Sequence, residues 1–222
     1  MKKQLFSLAV LCAMAFTVNA QTEKGQNMVG GSIMYGSNNQ NTPTRSVNSY
    51  TTNTIAKYKN FGSSISIGHF FSKNLAIGLN VGYNYSKSNS DYDSAVPGTP
   101  YSVSSSSKKN NFYVGPFVRY YVDIVDRFKF FGQGNFNIGF GKTKESFLTS
   151  NNYPGSISNY KNTTYNGSIN PGFAFFPSKK WAVEFSFPLL SYDYLNQKDD
   201  GENIESQPQG VNKSFIFGFS SF

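Results

Sequence analysis

His69 is the only imidazole and Cys12 the only thiol in a chain of 222 residues. A hydrolytic triad needs an imidazole beside its nucleophile, and a histidine metal site needs further ligands around it. His69 instead shares an alternating face with Ile65 and Ile67, company that fits an amphipathic ring at a polar–apolar boundary rather than a general base. Asp199-Asp200-Gly201-Glu202 gathers three carboxylates without the ligand spacing of a calcium loop, and reads as a solvated acidic patch. No catalytic set, metal site or cofactor is expected. Two charges remain that need an explanation: Arg119 and Glu184 both lie inside alternating apolar stretches. A charge in such a place needs a partner, so the two are expected to pair with each other, with Lys129 nearby, as a structural ion pair rather than a gate.

The elements that must position them alternate with a period of two. From Leu75 to Tyr85 every odd position is a large apolar or aromatic residue and every even one is small or an amide, the signature of a strand with one greasy face. At about 3.3 Å per residue and a tilt near 40°, such a strand rises roughly 25 Å, the height of the apolar band on a transmembrane barrel. The same pattern recurs over residues 28–37, 59–70, 111–122, 128–141, 162–176, 181–189 and 213–222. Connections between these eight segments alternate between short turns, at Ser72-Lys73-Asn74, near Asp126 and at Pro177-Ser178-Lys179, and long polar loops such as 86–110. Arg119 and Glu184 then fall on the inward parity of the fourth and seventh strands, at similar heights. The fold class predicted is all-β, an eight-stranded antiparallel up-and-down transmembrane β-barrel with both termini on the short-turn side.

The N-terminus agrees. Lys2 and Lys3 precede an apolar run from Leu5 to Val18 that ends in Val18-Asn19-Ala20, so residues 1–20 read as a signal peptide cleaved after Ala20, and residues 21–222 as the barrel domain. The run is too short to cross a bilayer as a helix. Cys12 leaves with the signal, and the mature chain carries 18 basic against 12 acidic residues. Counted over the four long loops the net charge is only +1, which supports no nucleic-acid partner. A soluble β-barrel or sandwich has the same periodicity with its apolar face buried. It is disfavoured because Asn80, Asn84, Gln133, Asn135, Asn137, Asn166 and Asn170 occupy the opposite face, while the apolar side chains are too many for the inside of an eight-stranded barrel.

Gly115-Pro116-Phe117-Val118-Arg119-Tyr120-Tyr121, followed by Phe128-Lys129-Phe130-Phe131-Gly132, resembles the middle hairpin of the small outer-membrane β-barrel domain family, related in architecture to the OmpA and OmpX barrels. The resemblance spans the mature chain, and the hairpin Phe70 to Ala76 is repeated in Phe175 to Ala182 with Pro177 as the extra residue. It implies the fold, a Gram-negative cell outer membrane location and insertion by the barrel-assembly machinery, for which the terminal Phe222 is similar to the family's insertion signal. Phe215, Phe217 and Phe219 lie on the opposite parity from Phe222, which calls for a bulge in the last strand or a degenerate signal. The resemblance implies no single activity.

Tyr83, Tyr85, Tyr165 and Tyr192 are predicted to form the outer aromatic girdle, and Phe128, Phe175 and Trp181 the inner one. The inward Tyr113, Phe117, Tyr121 and Phe131 should obstruct the lumen. The reading that follows is a non-enzymatic, porin-like integral outer-membrane protein, monomeric, surrounded by outer-membrane lipid and lipopolysaccharide. Its envelope-structural or surface-interaction role would be carried by Ser/Asn/Tyr-rich loops, whose ligand, if any, the residues do not name. A narrow passive pore and a lipid-modifying hydrolase are the alternatives.

Overall fold

The computed structural model describes residues 22–45, 51–94, 101–149, 155–200 and 210–218. The expected signal peptide, Cys12 and Phe222 lie outside the described residues. Nine strands follow in order: β1 (Asn27–Arg45), β2 (Thr51–Ser72), β3 (Leu75–Ser94), β4 (Tyr101–Val125), β5 (Phe128–Thr149), β6 (Ser156–Ser178), β7 (Trp181–Ser186), β8 (Leu190–Asp199) and β9 (Gly210–Phe217). They form one antiparallel up-and-down sheet in sequence order, in which β7 and β8 both pair with β6. Among the described residues β1 and β9 do not pair with each other.

Nine strands rather than eight arise at Pro188. β7 lies against the Gly172 to Ser178 part of β6 and β8 against its Tyr160 to Ile169 part, so the two are one pass broken in the middle. Proline has no N–H to give to a ladder. The flanking amides bridge the break, Phe187 donating to the Pro171 carbonyl at 3.1 Å and Leu189 to the Ile169 carbonyl at 3.0 Å. Pro116 leaves a similar mark on β4: the ladder to β5 runs from Val114 to Phe117 without pairing Gly115 or Pro116.

The long loops expected from the sequence are largely strand. β3 continues to Ser94 and β4 begins at Tyr101, turning most of residues 86–110 into a paired hairpin, and β1 with β2 and β5 with β6 extend likewise. Ladder hydrogen bonds join backbone to backbone whatever the side chains are. Beyond the apolar band both faces are wet, so polar residues occupy both parities and the alternation that reveals a strand disappears. At the other end the connections are two-residue turns, Lys73-Asn74, Asp126-Arg127 and Lys179-Lys180. Asn74 and Arg127 take positive φ there, 67° and 64°, as tight reversals between twisted strands require.

The sheet curls, since inner-face groups from non-adjacent strands meet. The Phe70 and Tyr121 rings of β2 and β4 lie 6.0 Å apart, Tyr121 and Phe176 of β4 and β6 lie 6.3 Å apart, and Asn80 of β3 donates to Asn135 of β5 at 3.0 Å. Phe70, Ala76, Tyr121, Phe131 and Ala174 form a small buried cluster near the turn end. The outer face is the reverse: Ile65, Ile67, Leu79, Phe136, Phe140, Val183 and many others are exposed. For scale, a monomeric soluble protein rarely shows a contiguous apolar patch above a few hundred Å².

Candidate functional site

The inner face carries the polar chemistry, in three levels. At the turn end the first described residues fold across the sheet. Thr22 is 2 % exposed; its carbonyl accepts the Asn74 amide at 2.7 Å, and its hydroxyl donates to Asn74 Oδ1. Lys129 donates to Thr22 Oγ1 at 2.5 Å and Asn74 Oδ1 at 3.1 Å, and pairs with Asp123 at 2.7 Å. The hydrogen bond from Lys129 holds the Asp123 carboxyl below its ordinary value. A carboxylate with a lowered folded-state value stabilises the fold above its unfolded value, and that contribution disappears as the pH falls through the folded one. The stability difference between the wild type and Asp123→Asn, followed by denaturant titration, is therefore expected to be present at neutral pH and to disappear as the pH falls below the ordinary carboxylate range.

One level further in stand Arg119 and Glu184. Arg119 Nη1 donates to both carboxylate oxygens of Glu184, at 2.7 and 2.8 Å, and to the Tyr121 hydroxyl at 2.8 Å; Nε donates to Gln133 Oε1 at 2.6 Å. The Tyr121 hydroxyl in turn donates a hydrogen bond to Glu184 Oε1 at 2.9 Å. The guanidinium lies 4.6 Å from the Phe131 ring centroid and 5.8 Å from that of Phe117, two rings at most 2 % exposed. β4 brings Phe117, Arg119 and Tyr121 to one face by its period of two, and β7, paired with β6, brings Glu184 to them. Lys129 does not join this group: its carboxylate partner is Asp123, because Asp123 faces it directly across the β4–β5 ladder. A chain of amides continues upward, from Gln133 to Asn135, with Asn80 and Ser66 hydrogen-bonded behind it.

Above this lies a cavity of about 300 Å³ lined by Asn84, Asn111, Tyr113, Asn137, Gly139, Thr164, Asn166 and Asp193. Asn166 donates to Asp193 at 2.8 Å, while Asn111 Oδ1, Asn137 Oδ1 and Thr164 Oγ1 are buried without a protein partner. Orphaned polar oxygens in a polar space of this size are the setting in which ordered water supplies the missing hydrogen bonds.

The remaining sequence-predicted residues sit on the outer face. Tyr83, Tyr165 and Tyr192 are exposed on the loop side of the apolar band, and Tyr85 is partly covered. Phe175 and Trp181 are exposed near the turns, where Phe128 stacks on Phe173 at 5.6 Å. His69 is exposed, bonded through Nδ1 to Asn27 Oδ1 at 2.8 Å and set edge-on to Phe71. Among the described residues no three His, Cys, Asp or Glu side chains come together as metal ligands.

An inner face of buried amides and charges beneath an outer face of exposed Ile, Leu, Val and Phe is the inverse of a soluble sandwich. The profile of the outer membrane protein beta-barrel domain matches residues 6–218. The chain belongs to that outer-membrane β-barrel family. No curated protein matches it. In this member of the family, the Thr22–Asn74–Lys129–Asp123 cluster and the upper cavity carry no signal in the sequence. Thr22 had no periodic signal to place it, and the cavity is assembled from β3, β4, β5, β6 and β8.

Proposed function

We propose that the chain is a non-enzymatic integral protein of the outer membrane, its sheet closed by the β1 and β9 edges into a barrel of eight passes, serving the envelope structurally or through its loop-end hairpins. The observation that carries this reading is the inverted distribution of polarity: a lipid-facing surface is the solvent in which the apolar outer face stops being a liability. Unpaired sheet edges are not tolerated in hydrocarbon, which is the reason to expect the β1–β9 seam to close. Family membership supports the location.

The Arg119–Glu184–Tyr121 group, wedged between Phe117 and Phe131, blocks the lumen near its turn end and argues against a passive pore. His69 on the outer face, with Asn27 and Phe71 as its neighbours, argues against a hydrolase. The deciding experiment compares unheated and heated protein from mild detergent on SDS gels, with protease on whole cells. A heat-modifiable band cleaved only at the loop-side hairpins is expected. A soluble protein without a mobility shift would overturn the membrane reading. Planar-bilayer current above baseline would restore the pore, and acyl release from labelled lipopolysaccharide would restore the hydrolase.

A further inference from the structure

The register of the sheet lines up lysines that are far apart in sequence. Lys59 faces Lys87, Lys87 faces Lys108 and Lys108 faces Lys144, across β2, β3, β4 and β5. One step lower on the outer parity of β5, Lys142 faces Lys161 and Lys161 faces Lys198, across β6 and β8. Directly opposed residues share a face and stand about 5 Å apart at Cβ, so like charges in these places repel. Each of the six strands contributes from the face that carries its exposed apolar residues: Lys59 and Lys87 are two positions from Phe61 and Tyr85, and Lys142 is two from Phe140. The downward step between Lys144 and Lys142 follows the apolar rim, whose main run ends at Phe140 on β5 but at Tyr165 on β6, one outward position lower by cross-strand pairing, with Leu148 and Ile157 as isolated apolar residues beyond it. The lysines thus track the edge of the apolar band around the sheet at a distance of two to four residues, roughly 7 to 13 Å along a strand.

Within this strip a carboxylate of β8's end meets two of the lysines. Asp200 pairs with Lys161 and lies 3.8 Å from Lys142. Asp91 and Asp93 stand four and six residues beyond Lys87, and Asp91 is hydrogen-bonded by Ser104 at 2.6 Å. Among the described residues no ion pair joins Lys59, Lys87, Lys108 or Lys144 to a carboxylate.

We propose that this lysine collar binds the phosphates of anionic lipid headgroups in the loop-side leaflet. The inference rests on the membrane reading above and adds a specific lipid chemistry to it. Depth chooses lipid over other polyanions: the headgroup zone begins where the hydrocarbon ends, and a lysine placed there lays its alkyl stem along the apolar rim and its ammonium on phosphate. Opposed lysines that repel in isolation become a series of two-pronged clamps once a phosphate lies between them.

The test uses the full mature chain in vesicles of phosphatidylcholine with spin-labelled phosphatidic acid or spin-labelled phosphatidylcholine as the boundary probe. Wild type is expected to retain phosphatidic acid in preference. The variant Lys87→Gln/Lys108→Gln/Lys161→Gln is expected to lose that preference by about fivefold for each lysine within reach of a given phosphate. Its heat-modifiable band in pure phosphatidylcholine should remain. Equal preference in both proteins, with the band intact, would overturn the collar and leave the barrel standing. Loss of the band for wild type in every vesicle would overturn both. Displacement of the labelled lipid by millimolar tripolyphosphate at constant ionic strength would show a phosphate site indifferent to lipid, and would overturn the lipid assignment.

Discussion

Replacing Glu184 with alanine is expected to lower the unfolding free energy of the micelle-folded protein by about 3 to 5 kcal/mol, read from urea titration. The large effect comes from what is left behind. Arg119, 8 % exposed, keeps its charge between Phe117 and Phe131 with only neutral acceptors at Gln133 and Tyr121. Removing the whole group should cost far less, since an apolar replacement leaves no charge to solvate. The triple variant Arg119→Met/Tyr121→Phe/Glu184→Leu is therefore expected to recover most of the loss, Tyr121→Phe being included because its hydroxyl bridges the pair. A Glu184→Ala protein within about 0.5 kcal/mol of wild type would mean that the ion pair contributes nothing.

The second large effect concerns glycines that make room on the inner face, and two of them are expected to behave oppositely. The three atoms nearest an added Cβ at Gly82 all belong to the Tyr113 side chain. Gly82→Val should then destabilise by about 1 to 3 kcal/mol, and Tyr113→Ala should restore it by clearing that space. A side chain at Gly78 would strike the Ile67 carbonyl and stand 2.6 Å from both the Gly68 Cα and the Phe117 ring. Backbone cannot step aside, so Gly78→Val is expected to abolish the heat-modifiable form, and Phe117→Ala is expected not to rescue it. Gly134, with nothing within 4 Å of an added Cβ, is the control that should tolerate valine. Rescue of Gly78→Val by Phe117→Ala would show that the ring alone sets the constraint.

How much of this was visible in the residues depends on where they sit relative to the apolar band. Within it, the alternation from Leu75 to Tyr85 placed β3, and the same rule put Phe117, Arg119 and Tyr121 on one face of β4. The pairing of Arg119 with Glu184 followed from parity and height alone, and the structure brings them to 2.7 Å. Lys129 instead pairs with Asp123, which faces it one strand away, a relation of register that parity and height do not contain. Outside the band the signal failed. Residues 86–94 and 101–110 are strand although their Ser, Asn and Lys alternate with nothing, since two wet faces impose no pattern and backbone ladders need none. At the end of β9, Gly218 takes φ +135°, a conformation that suits glycine, and the regular strand ends there.

The sequence by itself determined that this is an antiparallel up-and-down sheet with one greasy face and one polar face. It also determined which charges fall inside, because period two and side-chain polarity are local properties of the chain. Only the tertiary structure decided register, and with it everything that depends on neighbours across strands. Counted loop by loop the positive charge nearly cancels; stacked by the ladder, Lys59, Lys87, Lys108 and Lys144 stand side by side. Charge along the chain is a sum, whereas the field at a surface depends on distance, and the distances between these lysines are set by hydrogen bonds between strands that no stretch of sequence contains.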